Sequence, residues 1–142
     1  MKLKLVSLAI IFISTLSLNA QTVVGKWKTF DDKTKEAKSI VEITERNGKI
    51  YGKVVEILNP ANKNLKCTEC TGADKDKPVL GLEILKGLKQ DKKEYNDGKI
   101  LDPSNGKEYK CIVSLDGNDK LKVRGYIGVS AFGRTQVWTR VK

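Results

Sequence analysis

The sequence predicts an all-β domain, a single antiparallel up-and-down β-barrel of about eight strands. Three observations lead there. Asn47-Gly48, Asp97-Gly98, Asn105-Gly106 and Asp116-Gly117 each lie beside apolar-rich runs, and such pairs adopt the positive φ angles that tight hairpins need. The runs between them alternate with period two: Tyr109, Cys111, Val113 and Leu115 face one way, Lys110 and Ser114 the other, with Ile112 breaking the pattern. No stretch carries a sustained helical stripe, although Leu82 to Lys89 has room for one helical turn.

The first twenty residues stand apart from this pattern. Lys2 and Lys4 precede an uncharged apolar run from Leu5 to Leu18, then Asn19-Ala20 and the polar Gln21. This is the three-part pattern of a secretory signal, with an apolar core too short for a membrane span of about 20 residues. Residues 1–20 are read as a signal peptide cleaved after Ala20, and residues 21–142 as one barrel domain. Cleavage removes Lys2 and Lys4 and takes the formal charge from +10 to +8. The expected destination is periplasmic or secreted, an oxidising compartment, with no stable membrane insertion after cleavage.

Strands are expected near residues 23–30, 39–45, 49–58, 80–86, 99–102, 107–115, 120–128 and 134–141. The first carries Gly25-Lys26-Trp27. The second contains Ser39-Ile40-Val41-Glu42-Ile43, and the third follows the Asn47-Gly48 turn. The fourth begins after Pro78. The fifth, sixth and seventh each follow one of the later turn pairs. In the seventh, Leu121, Val123 and Ile127 oppose Lys122 and Arg124. In the eighth, Thr135, Val137, Thr139 and Val141 oppose Arg134, Gln136, Trp138 and Arg140. Closing such a sheet removes its exposed edges. Eight strands enclose an interior that side chains just fill, or that holds one small ligand.

Composition excludes several functions. The chain has no histidine, so it has no Ser-His-Asp or Cys-His catalytic set and no histidine metal ligand. Lys and Arg number 27 against 17 Asp and Glu, but the lysines are spread along the chain among acids, and aromatics are only 6%. That is a solvated surface rather than a nucleic-acid groove. Arginine is more concentrated: Arg124, Arg134 and Arg140 fall near the C-terminus, where planar forks could take carboxylates or stack on rings.

The ends of the domain carry a further pattern. In a closed barrel the first and last strands are neighbours, so Arg140 could lie across the Trp27 indole, worth about 0.5–2 kcal/mol. A Gly25-x-Trp27 opening with a late arginine resembles the lipocalin and calycin barrels. The longer series resembles the bacterial secreted family called domain of unknown function 2147. It comprises Gly25-Lys26-Trp27, Ser39-Ile40-Val41-Glu42-Ile43, Gly48-Lys49-Ile50-Tyr51-Gly52-Lys53-Val54, Cys67-Thr68-Glu69-Cys70, Pro78-Val79-Leu80-Gly81, Gly98-Lys99-Ile100-Leu101-Asp102-Pro103, Gly106-Lys107-Glu108-Tyr109, Leu121 to Gly128 and Gly133 to Arg140. That resemblance implies a signal peptide, an envelope or secreted location and a lipocalin-like barrel. It implies no activity.

Candidate chemistry is sparse. Cys67-x-x-Cys70 has loop-like flanks, which favours a local disulfide pinning a surface loop. A redox pair, a zinc site completed by Cys111 with Glu69 or Asp74, and a bridge from Cys111 to either cysteine are the alternatives. Ser104-Asn105-Gly106-Lys107 matches an S-x-x-K string but reads as a hairpin turn. Asp102 reads as the turn former before it. Glu42, Glu56 and Asp102 are the carboxylates that could converge for acid-base work.

No catalytic residue, cofactor or metal is assigned. The leading expectation is non-enzymatic binding of a small hydrophobic or amphipathic, lipid-like ligand in the cell envelope. Its contacts are expected from Tyr51, Tyr109, Arg124, Tyr126, Arg134, Gln136 and Trp138, the last five forming one patch if the final two strands pair. Gly25, Trp27, Arg140 and Asp102 are expected to be structural. The alternatives are a filled barrel that binds a protein or anionic polymer through its outer face and the 59–78 loop, and a carboxylate-based hydrolase.

Overall fold

A computed structural model describes residues 22–142; the expected signal segment lies outside the described residues. Eight antiparallel strands close into a barrel in sequence order. They are β1 (Gly25–Phe30), β2 (Ala37–Arg46), β3 (Lys49–Ile57), β4 (Glu83–Asp91), β5 (Glu94–Asp102), β6 (Lys107–Asp116), β7 (Lys120–Tyr126) and β8 (Arg134–Arg140). The closing seam pairs Trp27 with Arg140 and Lys28 with Thr139. The barrel is complete within residues 22–142, so every strand has two neighbours and no sheet edge is left open.

The turns follow the glycine pairs with one exception. Asn47 and Gly48 hold φ of 53° and 77° and join β2 to β3 directly, as a two-residue hairpin requires. Asp97-Gly98, expected to open a strand, lies instead inside β5. There the β5–β6 register shifts by one residue, a bulge. A Cβ on Gly98 would sit 2.6 Å from the Lys86 carbonyl oxygen and 2.8 Å from the Leu88 nitrogen. The glycine is therefore needed for backbone approach, not for reversal. The reversal falls at Lys92-Lys93, with Lys92 at φ 58°, so β4 and β5 are each longer than the turn signals imply. The helical turn considered for Leu82 to Lys89 is strand.

The wall has two faces with different chemistry. Trp27, Val41, Ile43, Ile50, Val54, Leu85, Leu88, Cys111, Val113, Leu121, Val123 and Trp138 fill the interior and are all at most 3% exposed. Two indoles occupy much of that space. Beyond them, toward one end, the inward positions turn polar: Thr29 and Ser39 are buried and share a 2.7 Å hydroxyl hydrogen bond.

The barrel's two ends also differ. The turns at 47–48, 92–93 and 117–119 are short and share one end with the N-terminal segment. The longer connections, 31–36, 58–82, 103–106 and 127–133, share the other. The largest of these carries the Cys67–Cys70 disulfide and folds over the outside of β4–β6. Asp74 from this loop bonds Lys86 at 2.5 Å, and Lys86 also bonds Glu108 at 2.9 Å. Leu101 and Ile84, whose side chains leave the inner face, are buried beneath the loop.

Candidate functional site

The short-turn end is closed by an arginine clamp. The Arg140 guanidinium lies 4.2 Å from the Trp27 ring centroid. Its nitrogens donate to the carbonyl oxygens of Asn118 (2.7 Å), Val24 (3.3 Å) and Thr22 (2.7 Å). The Trp27 Nε1 donates to the Val23 oxygen at 2.8 Å. Gly25 fits because a Cβ there would approach Arg140 to 3.0 Å, at a φ of 138° that disfavours any side chain. One cation thus ties three chain segments over a fully buried ring.

The long-loop end is where polar groups gather inside the wall. Trp138 donates from Nε1 to Gln136 Oε1 at 3.1 Å. Gln136 Nε2 lies 3.1 Å from both carboxylate oxygens of Asp32, in the β1–β2 loop. Arg134 pairs with the same carboxylate at 3.0 Å. A chain of contacts therefore runs from a buried indole to an arginine side chain that is 70% exposed. Tyr109, inward on β6, accepts from Asn105 Nδ2 at 3.0 Å. Asp102 accepts from the Ser104 amide and hydroxyl at 2.9 and 2.6 Å, which is the geometry of a turn former.

The residues expected to share one patch are divided between the two sides of the wall. β7 and β8 do pair, but Trp138 faces Leu121, Gln136 faces Val123, and Arg124 faces Thr135. Gln136 and Trp138 therefore point inward, while Arg124 and Tyr126 point outward with Thr135, Val137 and Thr139. The reason is parity: the register matches even positions of β8 with odd positions of β7. Tyr51 is also on the outer wall, under the Arg46 guanidinium at 3.9 Å from its centroid. Arg124 is occupied in holding the β7–β8 loop, donating to Ser130 O (2.9 Å), Ala131 O (3.4 Å) and Thr135 Oγ1 (2.8 Å).

Other expected chemistry resolves differently. Cys67 and Cys70 are bonded to each other, so neither bridges Cys111. Cys111 is buried inside the barrel, and burial pushes its thiol up to about 12. Ser104 to Lys107 forms the β5–β6 turn, with Asn105 Oδ1 accepting from the Lys107 amide. Glu42 and Glu56 lie on the outer faces of β2 and β3, opposite Lys53 and Ile40, away from Asp102. Among the described residues, no three His, Cys, Asp or Glu side chains converge as a metal site would need. Two shallow concavities border the outer wall of the barrel. One, of about 110 Å³, is bordered by Arg46, Tyr51 and Glu83. The other, of about 480 Å³, is an open depression between the disulfide loop and β4, bordered by Asp74, Lys77, Leu80 and Lys86.

Sequence reasoning missed Asp32. It sits beside Asp31, which is the local turn former: the Lys33 and Thr34 amides donate to it and hold its carboxyl below the usual range. Nothing in the Asp-Asp pair distinguishes the residue that turns the loop from the one that reaches β8.

The closed eight-strand barrel, with its arginine over a tryptophan at the sealed end, is a lipocalin-like fold. Residues 25–140 match the family described as "Uncharacterized protein conserved in bacteria (DUF2147)", and the chain belongs to that family. The barrel is similar to protein HP1028 from the human pathogen Helicobacter pylori, a solved structure described as belonging to the lipocalin family. The two share a TM-score of 0.76 and 24% identity, over 87% of this chain and 85% of the other. No curated protein matches the sequence.

Proposed function

We infer that this is an exported, non-enzymatic binding protein that takes a small amphipathic ligand at the long-loop mouth of the barrel rather than deep within it. The observation that carries this reading is the Trp138–Gln136–Asp32–Arg134 chain, set above an interior filled by two indoles. Below that chain the barrel is packed. At its level Gln136 and Tyr109 are half-buried and Arg134 is exposed, and Tyr109 and Arg134 supply a ring and a cation for an amphipathic head group. The lipocalin-like fold supports small-ligand binding as a class. The disulfide is consistent with an oxidising compartment, and the basic-apolar-polar start of the chain supports export.

Native mass spectrometry tests this on protein purified from its own export route without reductant. The expected result is a lipid-sized adduct that disappears on denaturation and is depleted in Arg134→Ala and Gln136→Ala. A bare mass from both the wild type and protein mixed with envelope lipid extract overturns the reading. That result would favour a filled interaction module, for which the open depression under the disulfide loop is the supporting observation.

A further inference from the structure

We propose that the β7–β8 loop and the adjoining outer face of β6–β8 form a docking surface for an anionic phospholipid membrane. This goes beyond the ligand at the mouth and does not rest on it. The loop at 127–133 exposes three large apolar side chains within six residues: Ile127 at 66%, Val129 at 59% and Phe132 at 84%. Soluble surfaces do expose single apolar residues, but a cluster at the tip of one loop marks a contact.

The loop is held in this presentation. Arg124 spends its guanidinium on two of the loop's carbonyl oxygens and on Thr135. Gly133 packs so closely that a Cβ there would meet the Gly125 oxygen at 2.7 Å. The apolar tip is therefore built outward by hydrogen bonds.

Charge tells what it faces. Beneath the tip, Tyr126 stands directly opposite Lys110 on β6. One row further on, Arg124 lies between Ile112 and Thr135, and Lys122 then lies between Ser114 and Val137. Neither β7 nor β8 contains an acidic residue. Lys110 and Lys122 make no ion pair among the described residues, while Glu108 is engaged by Lys86 and Lys99. A cationic sheet face, whose acids are Glu108 and, at the end far from the tip, Asp116 opposite Lys120, thus adjoins a projecting apolar tip.

A protein partner fits this shape poorly. A stable protein interface takes about 800 Å² from each side around a largely apolar centre, whereas the apolar part here is one loop tip of three large side chains beside a cationic sheet face. A bilayer fits it well: Ile127, Val129 and Phe132 enter the acyl boundary, Tyr126 sits at the polar interface, and the cations meet lipid phosphates. The outer wall beside the tip carries Lys110, Lys122 and Arg124, so the proposed contact is peripheral, with only the loop tip entering the bilayer.

The test uses a chain starting at Gln21, because the barrel is complete within it and residues 5–18 would bind lipid by themselves. Flotation is measured with vesicles of phosphatidylcholine alone and with added phosphatidylglycerol. Binding is expected only with the anionic lipid and is expected to weaken with salt. It should fall about tenfold in Val129→Ser/Phe132→Ser and in Lys110→Glu/Lys122→Glu, both exposed changes, with unaltered melting. As an independent readout, Phe132→Trp should gain blue-shifted emission on these vesicles and be quenched by brominated acyl chains. Absence of vesicle binding by the parent chain overturns the proposal. So does binding indifferent to the loop variant, or retention on dextran sulfate that matches the vesicles and ignores Phe132, which would assign the face to an anionic polymer.

Discussion

Gln136 holds both oxygens of the Asp32 carboxylate at 3.1 Å, across 104 residues of sequence. The same glutamine accepts from Trp138, so it couples the barrel's buried indole to the loop over its mouth. Replacing Gln136 with leucine leaves the Trp138 N–H inside the wall with no acceptor. A loss of about 1–3 kcal/mol is expected, read as a lower urea midpoint. Asp32→Asn keeps Gln136 bonded but removes the Arg134 ion pair, and should cost less than about 1 kcal/mol.

At the sealed end, Arg140→Lys should behave as a disruptive change. A lysine ammonium cannot span the Asn118, Val24 and Thr22 carbonyl oxygens with a planar fork while covering Trp27. A loss of about 1.5–3 kcal/mol is expected, with protection from hydrogen exchange falling first in residues 22–28. Equal protection in the two proteins would show that the clamp contributes little.

Gly106 provides a test of how the disulfide loop is seated. At φ 71°, a Cβ on it would lie 1.9 Å from the Glu69 oxygen, so Gly106→Ala must displace the Cys67–Cys70 turn. The expected outcome is faster reduction by dithiothreitol and a stability loss of about 1–3 kcal/mol. The wild-type disulfide closes only a short ring, so its reduction should cost only about 2 kcal/mol.

The loop's ionic anchor sets a pH signature. The hydrogen bond from Lys86 holds Asp74 below the usual carboxylate range, against a burial effect that raises it. A carboxyl whose folded value is depressed contributes stability above its unfolded value near 3.9, and that contribution fades as pH falls through the lower folded value. For Lys86, burial acts downward, but the bonds to Asp74 and Glu108 outweigh it and raise the group. Its share persists through neutral pH and is lost only above the ordinary lysine range. Asp74→Asn should therefore lower stability by about 1–2 kcal/mol at pH 7 and narrow its gap to the wild type below pH 4, as measured by urea unfolding at both values.

Much of the barrel was legible because period two is a local property. Tyr109, Cys111, Val113 and Leu115 announce one face of β6 without any reference to their neighbours. What alternation does not carry is its sign. On β8 the β-branched row of Thr135, Val137 and Thr139 resembles a core face, yet the interior takes Trp138. The indole has Leu121 across the ladder and a partner for its N–H in Gln136, while threonine hydroxyls do well in water. Asp97-Gly98 misled for a related reason. A glycine demanded by two backbones in contact has the same appearance as one demanded by a turn. The mouth was least legible, because Asp32 meets Gln136 only once the barrel has closed.

The wall that separates Cys111 from the disulfide loop also governs how this chain can be oxidised. Three thiols permit three single bridges. Cys111 points into the barrel, whereas Cys67 and Cys70 sit on a loop packed outside it, so two of the three bridges would have to pass through the sheet. Any chain that acquires one of them before β6 is in place is locked out of the native topology until it is isomerised. Fidelity in oxidative folding here depends on hiding one thiol early, and a Cys111→Ala or Cys111→Val chain should lose its misbridged by-products when refolded in air.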